Sequence, residues 1–156
     1  MDAAPETAHE AGMAGDVLPI RSDSPLYAAA LRLRREVFVV EQSVPEDIEI
    51  DELDPVARHF VVLEGGEVVA TMRLLPYEGA LKVGRVAVRK DLRGAGLGRR
   101  LMEEAIRVAG AEGARALVLN AQVAAAAFYR KLGFVEEGPI FDEAGIPHTR
   151  MVRRMA

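Results

Sequence analysis

An apolar, strand-like run ending at Val88 gives way to a helix-periodic run opening at Leu97, and the two meet in Arg93-Gly94-Ala95-Gly96-Leu97-Gly98. This junction is the strongest constraint on the fold. A strand that turns into a helix through glycines brings the helix's unpaired first-turn N–H groups to the surface of a tight turn. Downstream, Leu97, Leu101, Met102, Ala105, Ile106 and Ala109 fall on one helical face. Amides presented this way, in the positive field of a helix N-terminus, suit phosphate oxygens. Arg93 adds a cation able to make a charge-assisted contact. The residues by themselves leave a second reading open, a connection whose glycines serve packing alone. Two phosphate-binding patterns fit poorly. A Walker loop ends in Gly-Lys-Ser or Gly-Lys-Thr where this chain continues Gly98-Arg99-Arg100-Leu101, and a dinucleotide fingerprint aligned on Gly94 and Gly96 wants glycine where this chain has Arg99.

Around the junction the pattern alternates. Val17–Ile20 reads as a short opening strand, and Ser24-Pro25 as a helix N-cap with a first-turn proline. Leu26, Ala29, Ala30, Leu33 and Val37 recur at helical spacing and predict a helix to about Val39 or Val40. The acidic, proline-marked stretch from Ser43 to Pro55 reads as a loop with a short helical turn. His59–Glu64 and Glu67–Leu75 predict strands joined by Gly65-Gly66, a dipeptide suited to a tight hairpin. After a turn at Pro76–Gly79 a strand is expected over Leu81–Val88. Ala114–Asn120 has the content of a central strand, Ala124–Leu132 that of a helix ended by Gly133, and further strands follow from Phe134-Val135 and over His148–Arg153. Hairpins first and alternation afterwards predict a single-domain α/β fold with a mixed sheet.

The 156 residues suffice for one core without a disulfide or metal staple, and the absence of cysteine excludes a disulfide framework or a thiolate nucleophile. Met1 to Asp16 carries acids and lacks the basic and apolar segments of a signal peptide, so residues 1–16 are expected to form a flexible arm of a cytoplasmic protein. No apolar run reaches membrane-spanning length, and no membrane partner is expected. The net charge of −4 and the lack of aromatic interleaving in the basic segment 82–100 argue against a nucleic-acid partner. An acidic segment, Glu46 to Asp54, and a basic one, Lys82 to Arg100, suggest opposed local fields, one for a cationic acceptor and one for an anionic cofactor. Asp47, Glu49, Asp51 and Asp54 offer oxygens to a hard cation but lack the glycine and terminal spacing of a calcium loop, so no metal site is predicted. They read instead as a solvated loop that selects the acceptor.

With the flanking words Gly84-Arg85-Val86-Ala87-Val88 and Phe128-Tyr129-Arg130-Lys131-Leu132-Gly133-Phe134, the glycine segment resembles the acetyl-CoA motif of the GCN5-related N-acetyltransferase (GNAT) superfamily, and the three words stand in family order. Val37-Phe38-Val39-Val40-Glu41-Gln42, Leu119-Asn120-Ala121-Gln122 and Gly145-Ile146-Pro147-His148 resemble in particular the small bacterial ElaA-like and YjcF-like subgroup. The resemblance implies a GNAT-like acyl-CoA N-acyltransferase fold over residues 17–156, with a mixed, centrally splayed sheet flanked by helices. It implies acetyl-CoA as cofactor. Val86, Ala87 and Val88 would lie along the cofactor arm, Arg93, Gly94, Ala95, Gly96, Leu97, Gly98 and Arg99 would surround the diphosphate, and Phe128 would shape the channel. Gln122 stands where many members carry a cofactor-contacting asparagine. Tyr129 matches the family tyrosine near the thioester sulfur and would act as general acid.

The base is less defined. Glu41, at the end of the first helix, is a candidate acceptor-side base or orienter, Glu36 is another, and His148 has a suitable ordinary pKa. Gln42 can position an acceptor. The expected activity is direct transfer of acetyl from acetyl-CoA to a primary amine of a small molecule, with a homodimer as a family-based expectation. A noncatalytic acyl-CoA-binding regulator and acetylation of a protein amine are the alternatives.

Overall fold

The computed structural model describes residues 16–155. The arm expected over residues 1–16 lies outside the described residues, Asp16 excepted. The chain divides into two compact units, one holding the chain up to Arg73 together with Arg85–Glu104, the other Leu74–Gly84 together with the chain from Ala105 onward.

In the first unit β1 (Val17–Ile20) pairs antiparallel with β2 (Arg58–Glu64), from Val17 opposite Val62 to Ile20 opposite His59. Strand β3 (Glu67–Tyr77) follows through Gly65 and Gly66 at φ 60° and 82°, the left-handed torsions for which that dipeptide is suited. Helix α1 (Pro25–Arg34) starts as expected, with the Ser24 hydroxyl accepting from Leu26 N at 3.1 Å and Pro25 in the first turn. Ala30, Leu33 and Val37 bury against Val61, Val68 and Ala87, the last on β4 (Ala80–Val88). The helical path runs on to Glu41, but Arg35–Glu41 is wound as a π-helix, which the helical spacing did not foretell. The branched run Val37, Val39, Val40 crowds a tight α turn, and a wider winding relieves it.

The expectation of a solvated acidic loop fails in this unit for Glu49 and Asp54, whereas Glu46, Asp47 and Glu52 are exposed. Helix α2 (Glu46–Glu49) and a 3₁₀ turn, Asp54–Val56, carry Glu49 and Asp54 inward, where each is only 1–2% exposed. Arg34, 1% exposed on the inner side of α1, donates to Glu49 Oε2 and Asp54 Oδ1, both at 2.7 Å, and to the Glu49 carbonyl at 2.8 Å. Arg73 of β3 donates to Asp51 Oδ1 at 2.8 Å and Asp54 Oδ1 at 2.9 Å. Arg85 of β4 closes the cluster on the carbonyls of Glu49 and Ile48 and on Asp51 Oδ2. Burial works against the Asp54 charge, but hydrogen bonds from Arg34 and from the Asp51 amide outweigh it and hold the carboxyl well below the ordinary carboxylate range. The acids face inward because three arginines on buried elements need partners: a buried guanidinium without a carboxylate costs more than the loop loses by folding over it.

In the second unit β4 runs parallel to β5 (Ala116–Gln122), with Leu81 opposite Leu117 and Val83 opposite Leu119. Strand β7 (Ile146–Arg154) pairs antiparallel along the whole of β5, and β6 (Val135–Glu143) pairs antiparallel with β7 across a register shift between Glu137 and Phe141. The sheet is therefore mixed, and its strand order is β1-β2-β3-β4-β5-β7-β6. Ala80, Ala116, Val118 and Val152 form a core against Tyr77. Two boundaries move. Strand β3 continues through Pro76 to Tyr77, leaving Glu78 and Gly79 as the turn at φ 52° and 83°, and the helix expected over Ala124–Leu132 is reduced to α4 (Ala126–Arg130) behind a 3₁₀ turn at Val123–Ala125. Helix α3 (Leu97–Ala111) buries Leu97, Leu101, Met102, Ala105, Val108 and Ala109, nearly the stripe expected from the periodicity. Among the described residues no helix is long and apolar enough to cross a membrane.

Removing one partner from a buried ion cluster strands the others, so D54N is expected to lower unfolding stability by about 3 kcal/mol or more, read from the urea midpoint. Asp51 and Asp54 are both depressed in the folded state. Their contribution is present above the ordinary aspartate value of about 3.9 and lost as pH falls through the depressed folded values, so the D54N penalty should shrink on acidification. A loss under about 1 kcal/mol at neutral pH would remove the cluster from the stability account.

Candidate active site

The glycine segment leaves β4 as a turn and enters α3. Gly94 and Gly96 sit at φ 88° and 89°, where a side chain is strained, and the space a Gly94 Cβ would occupy has nothing within 4 Å. The first turn-closing bond of α3 runs from Arg100 N to Gly96 O at 3.1 Å, so the amides of Leu97, Gly98 and Arg99 precede the helical ladder. Those amides, at the N-terminus of a helix of 15 residues and beside an open turn, fit an anionic diphosphate. Val86, Ala87 and Val88 lead into the turn as the end of β4. Ala87, 2% exposed, faces the core with Ala30 and Leu33, while Val86 and Val88 are half-buried.

The arginines expected around the diphosphate have other partners. Arg93 donates Nη1 and Nη2 to Glu41 Oε2 and Oε1 at 2.9 and 2.7 Å, and Nε to the Val88 carbonyl at 3.0 Å. Arg99 donates to Glu103 one turn along α3 at 3.0 Å. The side chains of Arg93 and Arg99 are thus engaged, and the backbone amides of Leu97, Gly98 and Arg99 are the donors the turn presents. Glu41, considered as an acceptor-side base, is tied to the cofactor-side loop, and the hydrogen bond from Arg93 lowers its pKa, which makes it a poorer proton acceptor.

The remaining site residues lie in the second unit. Gln122 ends β5 directly opposite His148 on β7. His148 is 7% exposed, with Nδ1 2.7 Å from the Ile146 carbonyl and its ring stacked on Phe141 at 5.9 Å between centroids. A carbonyl only accepts, so Nδ1 carries a hydrogen. Tyr129 on α4 is 9% exposed, edge-on to Phe128 at 5.0 Å and to Phe134 at 5.9 Å, and burial pushes its pKa up to about 12. It is a neutral phenol at any physiological pH, a hydrogen-bond donor rather than an anion. Phe128 is 36% exposed beside it.

With the geometry in place, comparison with known proteins decides the family. An acetyltransferase (GNAT) domain model matches residues 17–155. The chain belongs to the GNAT acetyltransferase family. It is 41% identical over 125 residues to YjcF of Bacillus subtilis, an uncharacterised N-acetyltransferase, covering 80% of this chain and 89% of that protein. It is 37% identical over 139 residues to ElaA of Escherichia coli, covering 86% and 90%. The crystal structure of an acyl-CoA N-acyltransferase from Pseudomonas aeruginosa superposes with a TM-score of 0.79 at 37% identity, over 88% of this chain and 98% of that one. These place the protein in the ElaA/YjcF-like subgroup, and membership supports acetyl-CoA-dependent acetyl transfer as its general activity.

Much of the charge in the acidic and basic runs is paired within the protein. Arg85 of the basic run is bound into the acidic run, Arg89 pairs with Asp91 and Glu67, Arg93 with Glu41, and Lys82 stands 5.7 Å from the centre of the Tyr77 ring. Sequence reasoning missed Arg34 and Arg73, for which a signal existed: each is a cation inside an apolar stripe or strand, a position that requires a buried counter-charge. Arg85, at φ 55° within a strand, had none. Two neighbouring acids should therefore separate in experiment. D47N, at an exposed position, is expected to change stability by less than about 0.5 kcal/mol, whereas D51N, which releases both Arg73 and Arg85, should cost about 2 kcal/mol by chemical denaturation. Equal effects would return the loop to the solvated reading.

Proposed function

We propose that this protein is a working N-acetyltransferase that moves acetyl from acetyl-CoA directly to a primary amine of a small molecule, with no acyl group parked on the protein. The observation that carries the catalytic part is Tyr129, a neutral phenol buried edge-on to Phe128 and Phe134, in the word Phe128-Tyr129 that resembles the family's. Bound acetyl-CoA supplies an activated thioester whose transfer leaves sulfur as a thiolate. The chain contributes binding and charge control. The amides of Gly94 to Arg99 would receive the diphosphate, the β4 backbone at Val86 and Val88 would offer hydrogen-bonding groups to the cofactor arm, and the Tyr129 hydroxyl would donate to the departing sulfur.

The proton balance limits what Tyr129 does. A phenol at about 12 does not hand its proton outright to a thiolate whose acid has an ordinary pKa of about 8.5; it stabilises that thiolate through a hydrogen bond, and the net proton on sulfur comes from the attacking amine. Glu49, Asp51 and Asp54 are paired internally and lend no support to a cationic acceptor.

Purified protein incubated with acetyl-CoA and pooled amines, with CoA release and acceptor mass followed together, should yield an amine-dependent acetyl adduct. Tight acetyl-CoA binding without turnover across a broad panel would favour a noncatalytic regulator. Y129F is expected to lower turnover at saturating substrates by about 10²-fold while retaining acetyl-CoA binding. Preserved turnover would remove Tyr129 from the chemistry.

A further inference from the structure

The Gly94–Gly98 turn has weak backbone support of its own. Arg93 N to Lys90 O is 3.5 Å and Ala95 N to Leu92 O is 3.4 Å, both longer than a well-formed amide bond. Gly94 and Gly96 are also the residues that lose most conformational freedom on being fixed. The strong tie is a side chain. Arg93 presents its fork to Glu41 at 2.7 and 2.9 Å, a bidentate charge-assisted pair, and its Nε to the carbonyl of Val88, the last residue of β4. Glu41 is itself the last residue of the π-helix, so one guanidinium fastens the turn to the ends of two ordered elements.

We infer that Glu41 is a positioning residue of the donor loop: through Arg93 it holds the Gly94–Gly98 backbone in place, and the diphosphate is received by that backbone rather than by the Arg93 fork. The identity of the ligand rests on the donor-loop reading above, whereas the tie itself is a property of the free protein. Ordering the turn before binding removes a cost that cofactor binding would otherwise bear. A lysine at position 93 keeps the charge and loses the fork, so charge alone does not replace the contact.

The test uses the whole chain and two measurements, amide hydrogen exchange without ligand and CoA affinity by calorimetry. E41Q and R93Q are each expected to speed exchange at the amides of residues 94–99 and to weaken CoA binding about tenfold. The double variant should lose no more than either single one, because both remove the same contact. R93K should behave like R93Q. Unchanged exchange in E41Q overturns the inference, and so does CoA binding that tightens in E41Q while weakening in R93Q, the signature of Arg93 acting on phosphate directly. Wild-type protein that binds no CoA would overturn the donor-loop reading and leave the tie to be judged by exchange in the free protein.

Discussion

The buried guanidinium of Arg34 is the constraint around which the first unit is organised. A charge 1% exposed is tolerable only when its donors are met, and Arg34 meets Glu49, Asp54 and a carbonyl at 2.7 to 3.0 Å. Satisfying it draws the chain from Glu46 to Val56 inward, and that chain in turn meets Arg73 from β3 and Arg85 from β4. His59 is drawn in as well, its Nε2 donating to the Asp54 carbonyl at 2.9 Å. The arrangement does not saturate every atom: Glu49 Oε1 and Arg73 Nε are buried without a hydrogen-bond partner. A cluster of this kind gives little net stability over an apolar core of equal volume, but it makes any other placement of the loop expensive, because each misplaced partner leaves a buried charge behind.

This use of charge reshapes what the site can do. Acids gathered in sequence suggest a surface that attracts cations, and bases gathered in sequence suggest one that attracts anions. Here the two runs spend much of their charge on each other and on near neighbours, Arg85 with Asp51 and Arg89 with Asp91 among them. An anion approaching the glycine turn therefore meets oriented N–H groups at the start of α3 more than free guanidinium. Backbone donors have fixed directions and lose no side-chain entropy on binding, which suits a cofactor handle common to a whole family.

Local signals were legible and distant ones were not. The Ser24 cap, the Gly65-Gly66 hairpin, the opening strand Val17–Ile20 and the apolar stripe of α3 are each specified within a few residues, and each appears close to where the pattern put it. The glycine turn before α3 was legible for the same reason, since positive torsions at Gly94 and Gly96 require glycine where it stands. The π-winding of Arg35–Glu41 was hidden because α and π turns present nearly the same apolar spacing over so short a run. Arg34 with Asp54 is separated by 20 residues, Arg85 with Asp51 by 34 and Arg93 with Glu41 by 52, and no periodicity reaches that far. A carboxylate bound for a buried arginine looks the same in sequence as one bound for solvent or for an amine, which is why Glu49 and Asp54 were read as solvated.

Burial raises the pKa of Asp54 and of Tyr129 alike, yet the two end shifted in opposite directions. Asp54 enters the interior with arginines against it and keeps its charge, since their hydrogen bonds and field outweigh the loss of water. Tyr129 enters with Phe128 and Phe134 against it, no charged group compensates, and burial pushes its pKa further above the ordinary phenol value. The first outcome suits a structural tie, whose partners must stay ionised across physiological pH. The second suits chemistry at a departing thiolate, where an ionised phenolate would repel the charge that develops and a neutral hydroxyl can donate to it. Neighbours, more than residue type or depth, thus decide which buried group serves the fold and which is left available to the reaction.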